Sequence, residues 1–98
     1  MPRVHTIEEI KSAVIPVASS YGVKSAALFG SYARGDATPE SDVDIHIIDK
    51  GSLKGLFQLA GFQNDLEAKL GKSVDVMTSG SLSAEFLSRI KTYEVVLL

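Results

Sequence analysis

Gly30-Ser31, Arg34, Asp42 and Asp44 fall within one short stretch, and their types and spacing point to phosphate chemistry. Asp42 and Asp44 stand two residues apart in a run of alternating polar and apolar residues, so as a strand they share one face. Two carboxylates side by side repel, and a fold tolerates that arrangement when a cation sits between them. An oxygen-only donor set suits Mg²⁺, which usually takes one or two carboxylates plus substrate oxygens. Gly30-Ser31 supplies the complementary half. Glycine lets a phosphate approach the backbone, the N–H groups of a helix start attract anions, and serine adds a hydroxyl donor.

The elements needed to position these residues follow from the pattern around them. Val23 to Phe29 reads as a first strand, ending at a Gly30-Ser31 turn that opens a short helix bearing Arg34. Gly35, Asp36 and Pro39 break that helix, and Asp42 to Ile48 forms a second strand. Val43, Ile45 and Ile47 point one way from it, and Asp42, Asp44 and His46 the other. Arg34 either pairs with Asp36 or Glu40, stays solvated, or contacts phosphate, for which a guanidinium is well suited. His46 reads first as a satisfied or solvent-edge histidine, with a ligand or nucleotide contact as the alternatives. Lys72-Ser73-Val74-Asp75-Val76-Met77 is a third strand, and Asp75 between two valines faces away from the apolar side. Lys72 reads as a surface lysine, with phosphate neutralisation as the other option.

The helices are signalled by caps and spacing. Thr6 and Glu9 form a capping box for a helix that carries Ile7, Ile10, Val14 and Val17 inward and stops at Gly22. Pro16 conflicts with that helix and predicts a kink or an early end and restart. His5, just before it, reads as a solvated polar residue. A second long helix is expected from Leu53, capped by Ser52, to Gly71. Its apolar stripe is Leu56, Leu59, Ala60, Leu66 and Leu70, with Phe57 and Phe62 at the edges. Gly61 within it predicts close packing, and Asn64, Asp65, Glu67 and Lys69 form a solvated side. Ser83 caps a last helix to about Lys91 with Phe86, Leu87 and Ile90 inward, and Glu94 to Leu98 reads as a strand added to the sheet. Helices and strands in this order predict an α/β, two-layer α+β domain around a small mixed sheet.

Gly30-Ser31, ten intervening residues and Asp42-x-Asp44 match the G-S-x10-D-x-D signature of the DNA polymerase β-type nucleotidyltransferases. The fuller text, Gly30-Ser31-Tyr32-Ala33-Arg34-Gly35 with Ser41-Asp42-Val43-Asp44, resembles the minimal nucleotidyltransferases (MNT), antitoxins of HEPN toxins. The resemblance implies a third carboxylate on a later strand, and Asp75 is the matching residue. It implies nucleotidyl transfer with two Mg²⁺ ions, Asp42 and Asp44 bridging both and Asp75 holding the one beside the nucleophile. Gly30 and Ser31 would bind the β- and γ-phosphates. It further implies ATP as donor and a tyrosine of a HEPN toxin as acceptor. Its rivals are an antitoxin that acts by binding alone, a transferase for a small molecule, and a structural oligomer-former whose acid cluster merely binds cations.

Composition narrows the field. Ninety-eight residues predict one domain, residues 1–98. A net charge of −2 gives no general attraction to nucleic acid, and the absence of cysteine excludes disulfides and thiolate metal sites. No signal peptide or membrane span is legible, so a cytoplasmic protein is expected. So small a chain has little surface left to enclose a base and an acceptor together. A second protein is therefore expected to complete the site, near Tyr32-Ala33-Arg34 and the apolar end Val95 to Leu98.

Overall fold

The computed structural model describes residues 4–49, 53–78, 83–91 and 94–98, with backbone alone for 90 and 91. The elements run α1 (Ile7–Tyr21), β1 (Ala26–Phe29), α2 (Gly30–Arg34), β2 (Val43–Ile47), α3 (Gly55–Leu70), β3 (Val74–Thr78), α4 (Ala84–Lys91) and β4 (Val95–Val96). The sheet order is β3-β2-β1-β4. β1 pairs antiparallel with β2 and β4, and β2 pairs parallel with β3. This is the expected small mixed sheet with flanking helices.

Alternation along the strands separates two faces. Ala26, Leu28, Val43, Ile45, Ile47 and Val74 are buried in one cluster with Ile10, Val14, Phe62 and Leu66 of α1 and α3. The opposite face carries Phe29, Asp44, His46 and Asp75. Part of it is covered by α4, where the Phe86 ring meets Phe29 edge-on at 6.2 Å. The Ser83 hydroxyl caps α4 by accepting the Phe86 N–H at 3.1 Å.

Helix α1 begins as its capping box requires. The Thr6 hydroxyl accepts the Glu9 N–H at 3.1 Å, and the Glu9 carboxylate accepts the Thr6 N–H at 3.0 Å. It continues through Pro16 to Gly22. Buried Val14, Val17 and Ala18 bracket the proline, which itself faces solvent, and their packing outweighs the one backbone bond it removes. The first strand starts three residues later than expected. The Val23 N–H closes the helix end onto the Ala18 carbonyl at 2.9 Å. The N–H groups of Lys24 and Ser25 go to the Asp49 carboxylate.

Helix α3 departs from its expected stripe. It starts at Gly55, after Lys54 gives its N–H to the Gln58 side chain at 2.9 Å; the expected cap Ser52 lies outside the described residues. Phe62, Leu66 and Leu70 are buried, but Leu56 is 82% and Phe57 96% exposed, and Ala60 is exposed. The first turns run beyond the body that the second half packs against. Gly61 does mark close packing, since a Cβ there would meet the Tyr21 hydroxyl at 2.6 Å. The polar side is not simply solvated: Asp65 accepts the Tyr21 hydroxyl at 2.9 Å and Glu67 accepts the Val74 N–H at 2.9 Å. His5 is also tied down, with Nε2 2.6 Å from the Leu70 carbonyl. Tyr32 is buried rather than exposed and accepts the His5 N–H at 3.4 Å. Of the turn expected to face a partner, only Arg34 is exposed, and Ala33 is half-buried.

Candidate active site

The site lies where β1 ends and β2 and β3 begin. β1 is apolar throughout, and Gly30 turns the chain out of it with φ +73°, a backbone angle that glycine adopts without strain. Helix α2 then carries Ser31 and Arg34 and closes at Gly35, whose N–H reaches the Ser31 carbonyl at 3.0 Å. The strand register aligns Phe29 with Asp44 and Asp44 with Asp75. Asp44 and Asp75 thus stand side by side on adjacent parallel strands, on the face away from the core. Asp42 precedes β2 and is exposed, as is Asp75; Asp44 is half-buried.

The closeness of these groups has an electrostatic consequence. The Asp44 carboxyl is raised from 3.8 to about 6 by burial first, then by the Asp75 and Asp42 charges, with a hydrogen bond to Asp75 adding to it. Arg34 pulls the other way, although its Nε donates to Asp36 at 3.3 Å. Gly30 faces the same carboxylate: a Cβ built there would collide with Asp44 Oδ2 and come within 3.1 Å of its Cγ. The glycine turn and the aspartates therefore form one continuous site, and Gly30 is required by its neighbour as well as by its own backbone angle.

The donor set fits a hard divalent cation. It is oxygen-only, and the crowding that lifts Asp44 is what a cation would relieve. Among the described residues no three His, Cys, Asp or Glu side chains gather into a finished cage. Mg²⁺ does not need one, because it keeps several waters and draws on substrate phosphates. His46 is not in this donor set. It is buried, and its Nδ1 lies 2.7 Å from the Glu94 carboxylate, so it is the satisfied histidine expected. Sequence reasoning missed two fastenings. Glu94 carries no local signal of its pairing with His46. Lys72, read as a surface residue, donates from Nζ to the Pro39 carbonyl at 2.5 Å.

A chain with this fold and this cluster is a nucleotidyltransferase domain: the sequence profile of that family matches residues 7–98, and the protein belongs to it. Within the family it is similar to the minimal members. It is 36% identical over 83 residues to the protein adenylyltransferase MntA of Thermococcus cleftensis, covering 81% of this chain and 83% of that one. It is 43% identical over 84 residues to a provisionally named protein adenylyltransferase of Methanocaldococcus jannaschii, covering 86% and 89%. Among solved structures, a toxin–antitoxin complex with AMP-PNP superposes with a TM-score of 0.78 at 21% identity, over 90% of this chain and 72% of that one. A complex of tri-AMPylated Shewanella oneidensis HEPN toxin with its MNT antitoxin gives 0.72 at 18%, over 93% and 71%. At such identities the structures establish the shared fold. Among the described residues no helix is long and apolar enough to cross a membrane.

Proposed function

We propose that this chain is a protein adenylyltransferase that moves AMP from ATP to a hydroxyl, a tyrosine, of a cognate HEPN toxin and so acts as its cytoplasmic antitoxin. One observation carries the reading: the Asp44 carboxylate, aligned with Asp75, stands directly against the Gly30 turn. A triphosphate bound at that turn would lie beside these carboxylates. The names of the relatives, and the AMP-PNP and AMPylated toxin in the neighbouring complexes, support the same chemistry here.

In this reading the backbone N–H groups after Gly30 and the Ser31 hydroxyl bind the β- and γ-phosphates. Arg34 adds a guanidinium to the triphosphate by exchanging its exposed Asp36 partner for phosphate oxygens. Asp42, Asp44 and Asp75 would hold two Mg²⁺ ions, which supply charge neutralisation at the attacking and leaving oxygens. The acceptor oxygen bonds to the α-phosphorus, the bond to the bridging α–β oxygen breaks, and pyrophosphate leaves. Asp75 takes the acceptor proton. Asp42 and Asp75 are exposed, so the toxin both brings the hydroxyl and completes the enclosure of the nucleotide.

Incubation of the chain with labelled ATP, Mg²⁺ and a cognate HEPN toxin tests this reading. The expected result is label on the toxin, lost with Asp42→Ala or with EDTA. Tight binding that silences the toxin without label, equally well with Asp42→Ala, would favour an antitoxin acting by binding alone.

A further inference from the structure

We infer that Lys72 is a positioning residue: its ammonium clasps the loop leading to Asp42 against the strand that carries Asp75, and so sets where Asp42 stands in the cluster. The inference rests on Asp42 being a cation ligand, as proposed above. Asp42 lies outside the sheet ladder and is exposed, so the pairing of β2 with β3 does not by itself fix it. Its position comes from what holds the chain on either side. On the near side, the Val43 N–H donates to the Ser73 carbonyl at 3.0 Å. On the far side, Lys72 Nζ donates to the Pro39 carbonyl. Two adjacent residues immediately before β3 thus grip the chain before and after Asp42.

Between the two grips the loop is wound tight. The Thr38 N–H donates to the Ser41 hydroxyl at 2.8 Å, and the Ser41 N–H donates to the Thr38 carbonyl at 2.9 Å. The clasp therefore passes its constraint through a short turn to the residue that follows it. Pro39 and Asp42 are separated by the same interval as Lys72 and Asp75, so the contact ties together the two segments that deliver the outer carboxylates. Lys72 spends its charge on a carbonyl, which leaves the aspartates as acceptors.

The sign of the effect on cation binding distinguishes this role from the obvious electrostatic one. A cation beside an acid cluster opposes metal binding, so deleting it should by charge alone tighten Mn²⁺. A clasp predicts the reverse. Mn²⁺ titrated calorimetrically into the full chain without nucleotide reads the difference, with Lys72→Met, Lys72→Arg, Ser41→Ala and Asp42→Asn compared with the parent. We expect Lys72→Met to weaken Mn²⁺ binding on the order of tenfold, the scale of losing a group that orients a ligand. Lys72→Arg should restore most of it, and Ser41→Ala, which loosens the same turn, should weaken it in the same direction. If Lys72→Met melts well below the parent, the arginine and Ser41 variants decide. Unchanged or tighter binding in Lys72→Met or Ser41→Ala, with Asp42→Asn weakened, overturns the clasp and leaves the site standing. Parent-like binding in Asp42→Asn overturns the site, and the clasp with it.

Discussion

The two faces of strand β2 are built from alternate residues of one short segment, yet they do opposite things. Val43, Ile45 and Ile47 are buried among α1, α3 and the neighbouring strands. Asp44, one residue from Val43 and from Ile45, stands beside Asp75 and against Gly30; burial and the Asp75 and Asp42 charges push it up to about 6. One face lowers the energy of the folded chain by removing apolar surface from water. The other raises it by crowding like charges, a cost that the proposed binding of a cation and a triphosphate would offset. A single-residue change of face separates stability from chemistry.

Substitutions on the two faces should therefore fail differently. Ile45→Ala deletes a fully buried side chain and should lower stability by about 2–5 kcal/mol in chemical denaturation, with catalysis lost only as the fold is lost. Its neighbour Asp44→Asn should leave the fold intact and reduce AMP transfer by at least about 10²–10³-fold, the scale of removing a group that stabilises developing charge. Ser31→Ala should weaken ATP binding by about 1.5–3 kcal/mol without changing the melting temperature, since one bond to a charged group is lost. ATP binding equal to the parent would make the serine a helix-start residue only. Gly30→Ala should lose both properties, because the Cβ collides with Asp44 and the left-handed backbone costs a non-glycine residue about 1–2 kcal/mol.

Acidity probes the crowded face without mutation. A carboxyl whose folded pKa is raised, from 3.8 to about 6 for Asp44, takes up its proton more readily in the folded state than in the unfolded one. Its contribution is therefore most favourable at low pH and is lost as pH rises through that window. Discounted for solvent screening at a half-buried site, the difference is worth about 1–2 kcal/mol. Metal-free protein should thus gain stability between pH 7 and pH 5 through this group. Asp44→Asn should lose that component of the slope.

Much of this arrangement was legible before the structure, for reasons that differ by residue. The capping box at Thr6 and Glu9 and the stop at Gly22 are local, so sequence contains them whole. The placement of Asp44 and His46 opposite Val43, Ile45 and Ile47 follows from strand periodicity alone; Asp42 was expected on the same strand, but β2 begins at Val43 and Asp42 stands just before it. The alignment of Asp75 with Asp44 does not: it needs the register of two strands far apart in the chain, and only the family resemblance suggested it. The exposure of Leu56 and Phe57 was illegible because periodicity identifies an apolar stripe without saying how far the body beneath it extends. The early end and restart that Pro16 allows does not occur, because the proline's cost is local while the packing that offsets it is tertiary. Lys72 and Glu94 find their partners across 33 and 48 residues, and no pattern near either one announces them.

The most direct test of the division between the faces is thermal melting of the parent and Asp44→Asn, each with and without Mg²⁺, at neutral pH. Without metal, Asp44→Asn should melt above the parent, because it removes one of three crowded charges. Mg²⁺ should raise the melting temperature of the parent through binding to the folded state and should raise that of the variant far less. A variant that melts below the parent in the absence of metal, or one that Mg²⁺ stabilises as strongly, would contradict the claim that this face holds its carboxylates together for a cation.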